Sequence, residues 1–163
     1  MDNTLQIHQM LTDSIFEVFE KMFYIFLEPA DEEAGTHHWR SSIYFSGPFK
    51  GEMAALFSPP LAEIMVQNML NVEREQIAES LTGDCLKEAM NMICGNFLQK
   101  FDPSSVFDLS IPYFTSVAVG EPPPSLLTCP AALRLNFAAG AGGWLELIVR
   151  TRQNPRGEAN WVI

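Results

Sequence analysis

Asp84, Glu88, Asn91 and Gly95 are the residues of this sequence whose types and spacing could do chemistry. Wound as an α-helix at about 100° per residue, they fall on one line. Leu86, Met90, Ile93 and Phe97 fall on the opposite line. Such a helix hides one face and displays the other. Glu88 and Asn91 are three apart and therefore neighbours on the helix surface. A carboxylate can hold a lysine or arginine of a partner. A carboxamide can donate to one oxygen and accept from another at once. That dual capacity suits the orientation of a water for attack on phosphorus. Phosphoryl transfer relies mainly on positioning and charge stabilisation, and a glutamine orients the attacking water in some nucleotide hydrolases. Gly95 would let a partner's backbone approach closely. By composition alone, the same face also fits a merely solvated helix surface.

The helix over Asp84–Phe97 needs neighbours that position it. Residues 4–27 read as a first helix with Ile15, Phe19, Met22 and Phe26 at helical spacing, stopped by Pro29. Trp39–Ser46 and Phe49–Phe57 read as a β-hairpin around Gly47-Pro48. Phe49, Met53, Ala55 and Phe57 would share one face. Ser58-Pro59 is a helix start, a hydroxyl cap followed by a proline at the first turn, and that helix should run to about Leu70. The third helix ends near Phe101, with its start obscured by Gly83. The remainder is β: Phe107, Leu109 and Ile111 alternate with polar residues, Tyr113–Val119 follows, and Leu133–Phe137 pairs with Trp144–Arg150 across a glycine-rich turn. Trp161–Ile163 would dock or add an edge strand. The expected fold is α+β, with long helices packed on one face of a mostly antiparallel sheet.

The first and third helices echo each other. A shift of 71 residues places Asp13 on Asp84, Glu17 on Glu88 and Glu20 on Asn91. It also superposes the apolar stripes. A duplication would set the two helices side by side about a pseudo-two-fold axis. The chain would then be a single domain over residues 1–163, with a degenerate half of about 1–75 and a half carrying the active motif of about 76–163.

Composition excludes several functions. The 163 residues carry 10 basic and 20 acidic side chains, a net charge of −10, which argues against nucleic acid binding. No apolar stretch reaches the length of a membrane span, and no signal peptide is expected. Cys85, Cys94 and Cys129 read as reduced buried thiols of a cytoplasmic protein. No metal site is expected: His37-His38 lacks further ligands at useful spacing. Ala138–Gly143 lacks the ending of a phosphate-binding loop, and Ser104, Ser105 and Ser110 lack a histidine partner.

Asp84-x3-Glu88-x2-Asn91, followed by Met92-Ile93-Cys94-Gly95-Asn96, resembles the signature of the CheX/CheC/FliY chemotaxis phosphatases. Their pattern ends in a proline just over twenty residues on; here twenty residues separate Asn91 from Pro112, which bears on the loop beside the site. The Asn-Met-Ile-x-Gly-Asn run is closer to CheX than to CheC. The resemblance implies a phosphatase that removes the aspartyl phosphate of a CheY-like receiver domain. Asn91 would orient the hydrolytic water and Glu88 would pair with a receiver lysine. Asp84, Gly95 and Asn96 would support docking. The receiver would supply the phosphoryl group and the Mg²⁺, so the chain needs no cofactor of its own. CheC-type members carry two such sites and CheX-like members one. Asp13, Glu17 and Glu20 would then be a degenerate second site, because Glu20 accepts but cannot donate when ionised. A homodimer is expected by the same resemblance.

Two other readings differ in class. The fold can serve as a non-catalytic receiver-binding or flagellar-switch-binding module, for which Asn91 would be dispensable. A small apolar ligand could sit between helices and sheet, but no polar groups converge in the expected core.

Overall fold

The computed structural model describes residues 3–31, 38–117 and 132–152. Trp161–Ile163 and Cys129 lie outside them. Helix α1 runs Asn3–Val18 and continues as a π-helical turn, Phe19–Phe23. Strand β1 is Glu28–Pro29, β2 His38–Ser46 and β3 Lys50–Phe57. Helix α2 spans Pro59–Leu70, and a 3₁₀ turn at Arg74–Gln76 leads to α3, Glu79–Phe101. Then come β4 Asp108–Leu109, β5 Tyr113–Val117, β6 Leu133–Ala138 and β7 Trp144–Arg152.

The seven strands form one antiparallel sheet in the order β1-β6-β7-β3-β2-β4, with β5 also paired to β2. Exchange β1 with β4, β2 with β6 and β3 with β7, and the order reads the same backwards. The exchange also keeps chain order, since β1, β2 and β3 follow α1 as β4, β6 and β7 follow α3, so the strand order has a pseudo-two-fold pattern with β5 left over. Its axis runs between the central strands β3 and β7, and α1 and α3 are the helices that it relates. This is the α+β architecture expected from the sequence, with helices on a mostly antiparallel sheet.

One face of the sheet carries the helices. Met53, Ala55 and Phe57 of β3, Leu135 and Phe137 of β6, and Leu145, Leu147 and Val149 of β7 pack against Leu11, Ile15, Met65, Leu86, Met90 and Ile93. The alternate residues Ala54, Leu56 and Ile148 make a second, smaller cluster on the opposite face with Ala132 and Trp144. That face also holds two ion pairs, Arg150 to Glu52 at 2.7 Å and Arg134 to Glu146 at 2.9 Å.

Local chemistry explains most boundaries. Ser58 Oγ accepts from Leu61 N at 3.3 Å as the expected cap, and also from Trp144 N at 3.0 Å, tying α2 to β7. Gly83 lies within α3 because β5 packs there: an added Cβ would stand 2.9 Å from the Phe114 ring. Phe49 meets Phe107 at 5.1 Å and Phe101 at 5.6 Å, ring centre to ring centre, so the chain after α3 is anchored to the hairpin.

The first helix differs from its expected form. The α-helix stops at Val18, the π turn follows, and Tyr24 at φ 54° ends it. The helical phase is lost there. Ile15 and Phe19 are buried as expected, whereas Phe26 is 76% exposed, and Ile25 and Leu27 are buried instead. Two further differences concern short strands. Glu28–Pro29 is an edge strand rather than a helix end, a position that tolerates a proline. The alternating Phe107–Ile111 run is broken: only Asp108–Leu109 is strand, and Ile111 is 91% exposed. Pro112 has no N–H to continue the ladder. Ser110 compensates, donating its N–H to Tyr44 O and accepting the Tyr44 N–H on Oγ, both at 2.9 Å.

Candidate functional site

Helix α3 presents the candidate site because its opposite side is held everywhere by core. Leu86, Met90, Ile93 and Phe97 are fully buried, in the stripe read from the sequence. Asp84 and Glu88 are exposed, and Asn91 and Gly95 are half-buried. Four residues therefore share one accessible line on a helix fixed between sheet and α1. Asn96 is half-buried and five positions beyond Asn91, about 140° further around the helix, so it stands off that line.

Asp84 pairs with Lys87 at 3.4 Å on the helix surface. Among the described residues, neither Glu88 nor Asn91 has a side-chain partner. Both are uncommitted on one face. Gly95 opens that face further, since an added Cβ would have no neighbour within 4 Å. Beyond it runs a shallow groove lined by Leu98, Gln99, Asp102, Phe107 and Leu109. Asp102 accepts from Ser104 and Ser105, which holds its carboxyl below the usual carboxylate range. Val106 and Ile111, in the segment that follows α3, are 85% and 91% exposed. The alternation of Phe107, Leu109 and Ile111 reads as an ordinary strand, so the exposure of Ile111 is not visible in sequence.

The echo on α1 is built differently. Asp13 is exposed and accepts from Gln9 Nε2 at 2.8 Å. Glu17 Oε2 lies 2.9 Å from Lys100 Nζ of α3. That hydrogen bond, with the charges of Lys100 and Lys21, holds the Glu17 carboxyl below its usual range. Glu20 is exposed but lies in the π turn, where helical phasing differs from that around Asn91. The three residues thus line up with the α3 set in sequence, while their surroundings are different.

Other sequence features resolve as structure. Burial pushes the thiols of Cys85 and Cys94 up to about 12. His38 is buried in β2 with its ring centre 6.0 Å from that of Trp144; His37 lies outside the described residues. Ala139–Gly143 is the β6–β7 turn, with Gly140 and Gly142 at positive φ. Among the described residues there is no cluster of three or more potential metal ligands, and no helix is long and apolar enough to cross a membrane.

Residues 40–119 match the family model described as chemotaxis phosphatase CheX, a span that contains Asp84, Glu88 and Asn91. No curated protein matches the sequence. Solved structures match the fold. CheX from Vibrio vulnificus gives a TM-score of 0.71 at 21% identity, covering 89% of this chain and 97% of that one. A chain of the CheX–CheY–BeF3–Mg²⁺ complex from Borrelia burgdorferi gives 0.69 at 18% identity, covering 90% and 98%. FliY from Thermotoga maritima gives 0.63 at 12% identity, covering 88% and 85%. The matched span, the motif on α3 and the sheet agree: residues 40–119 resemble the chemotaxis phosphatase CheX family, and the chain has the fold of the CheX and CheC-like proteins.

Proposed function

We propose that this protein accelerates hydrolysis of the aspartyl phosphate on a CheY-like receiver domain. The observation that carries the reading is the pair Glu88 and Asn91, three residues apart on an accessible helix face with both side chains uncommitted. Glu88 would pair with a receiver lysine and fix the register of docking. Asn91 would enter the receiver's site with its amide oxygen accepting from a water and its nitrogen donating to a phosphoryl oxygen. The water's oxygen attacks phosphorus and the bond to the aspartyl oxygen breaks. Inorganic phosphate and a free carboxylate result, and the water's proton passes to the phosphate. Mg²⁺ would belong to the receiver, where it neutralises phosphoryl charge. The CheX–CheY complex among the fold relatives supports this class of partner.

Asp84 would serve the site indirectly, through its pair with Lys87. Gly95 would let the receiver's backbone approach. Asp13, Glu17 and Glu20 would make no second active site. Glu17 is already engaged by Lys100, and Glu20 is an anion where an amide donor is needed. A homodimer and a cytoplasmic location belong to the same proposal. A chain of the FliM–SpeE complex from H. pylori shares the fold at a TM-score of 0.59, which keeps a second reading open, that of a binding module. The uncommitted Asn91 favours the enzyme, since binding alone does not require an amide at that position.

The test is the decay of each phosphorylated CheY-like receiver of the same genome, with and without this protein. Faster decay of at least one is expected. Binding without faster decay would leave the module.

A further inference from the structure

The face that would meet a phosphoryl group is acidic. Asp84 and Glu88 flank Asn91 on its N-terminal side, and the whole chain carries a charge of −10. A phosphorylated receiver would bring its own Mg²⁺, but this face would offer the phosphoryl oxygens no positive charge from its own side unless it carried a cation. Helix α3 carries two lysines, Lys87 and Lys100. Lys100 is bound to Glu17 of α1 at 2.9 Å. Lys87 is four residues before Asn91, so their side chains are neighbours one turn apart. It is also four residues after Gly83, where Phe114 of β5 packs against the helix. Lys87 thus lies on the β5 flank of the site, its side chain 37% exposed, and its ammonium reaches back to Asp84 at 3.4 Å. That pair is long and solvated, a weak tether that a stronger anion can displace.

We infer that Lys87 supplies the positive charge by which this face recognises a phosphoryl group, with Asp84 holding its side chain along the helix until the partner arrives. The inference rests on the receiver-directed reading above. It assigns to Lys87 a discrimination between phosphorylated and unphosphorylated partner that Glu88 and Asn91 do not provide by charge.

The experiment measures affinity for a CheY-like receiver in two forms, free and carrying beryllofluoride as the phosphoryl mimic. The intact protein is compared with Lys87→Gln and Lys87→Arg. Lys87→Gln is expected to weaken binding of the beryllofluoride form by about three- to tenfold, the scale of one charge-assisted contact. The free form should bind unchanged, Lys87→Arg should restore the preference, and the difference should shrink as salt is raised. Equal affinities of the intact protein and Lys87→Gln for the beryllofluoride form, or a matched loss for both forms, would overturn the inference. Turnover is measured in parallel. Turnover with no Lys87-dependent preference defeats this assignment alone; the preference without turnover defeats the phosphatase reading alone.

Discussion

Lys100 Nζ of α3 lies 2.9 Å from Glu17 Oε2 of α1, so the two helices are joined through the glutamate that aligns with Glu88 when the sequence is shifted by 71 residues. The aligned position holds an ion pair on α1 and is open on α3. The asymmetry follows from the exposure of Glu88 against the engagement of Glu17.

The ion pair predicts a small pH-dependent stability. Glu17 is held below its usual range by Lys100. A depressed carboxylate contributes stability above its unfolded pKa and loses it as pH falls through the folded one. Both side chains are about a third exposed, so solvent screens most of the effect. Lys100→Ala should cost less than about 1 kcal/mol at pH 7 in urea denaturation. The difference from the intact protein should disappear in strong acid. A cost that persists there would mean that Lys100 acts by packing.

The same relationship predicts that the α1 site stays silent when its sequence is repaired. Glu20→Asn in an Asn91→Ala background should leave receiver dephosphorylation at the background rate. Glu17 remains bound to Lys100, and position 20 remains in the π turn. Glu20→Ala alone should not alter the rate. Activity that survives Asn91→Ala and disappears with Glu20→Ala would locate the chemistry on α1.

Gly95 separates fold from function. It is inside a helix and an added Cβ meets nothing within 4 Å. Gly95→Ala should therefore stabilise the protein by roughly 0.5–1 kcal/mol, the helix-propensity difference. On the docking face the new methyl group would obstruct the partner, and dephosphorylation should fall severalfold. Higher stability with undiminished activity would remove Gly95 from the interface.

The buried thiols should be inert. With their pKa values pushed up to about 12, Cys85 and Cys94 hold almost no thiolate at pH 8. In a Cys129→Ser background, a chromogenic disulfide reagent should titrate neither until urea unfolds the chain. Rapid labelling of the native protein would show that α3 opens locally.

Much of the fold was legible because its signals are local. Ser58-Pro59 announced α2, and Leu86, Met90, Ile93 and Phe97 announced the buried face of α3. The echo between Asp13-Glu17-Glu20 and Asp84-Glu88-Asn91 is a sequence pattern on α1 and α3, which pack on the same sheet. What escaped depends on long-range packing. The π turn at Phe19–Phe23 leaves Phe26 in solvent although its spacing fits the stripe. The Glu17–Lys100 pair joins residues 83 apart in the chain, and no helical periodicity encodes it. The position of Gly83 made sense only once Phe114 was seen against it. The exposed Ile111 reads in sequence as part of a strand with Phe107 and Leu109.

The most direct measurement is single-turnover phosphate release from a phosphorylated CheY-like receiver, with the intact protein, Asn91→Ala and Glu88→Ala, each over a range of concentrations up to saturation. Asn91→Ala should reduce the catalysed rate by about a hundredfold, as expected for loss of one oriented polar group at the reacting centre, while still binding the receiver. Glu88→Ala should act chiefly by weakening the complex, so that more protein restores part of the rate. An Asn91→Ala protein that releases phosphate as fast as the intact one would contradict the account.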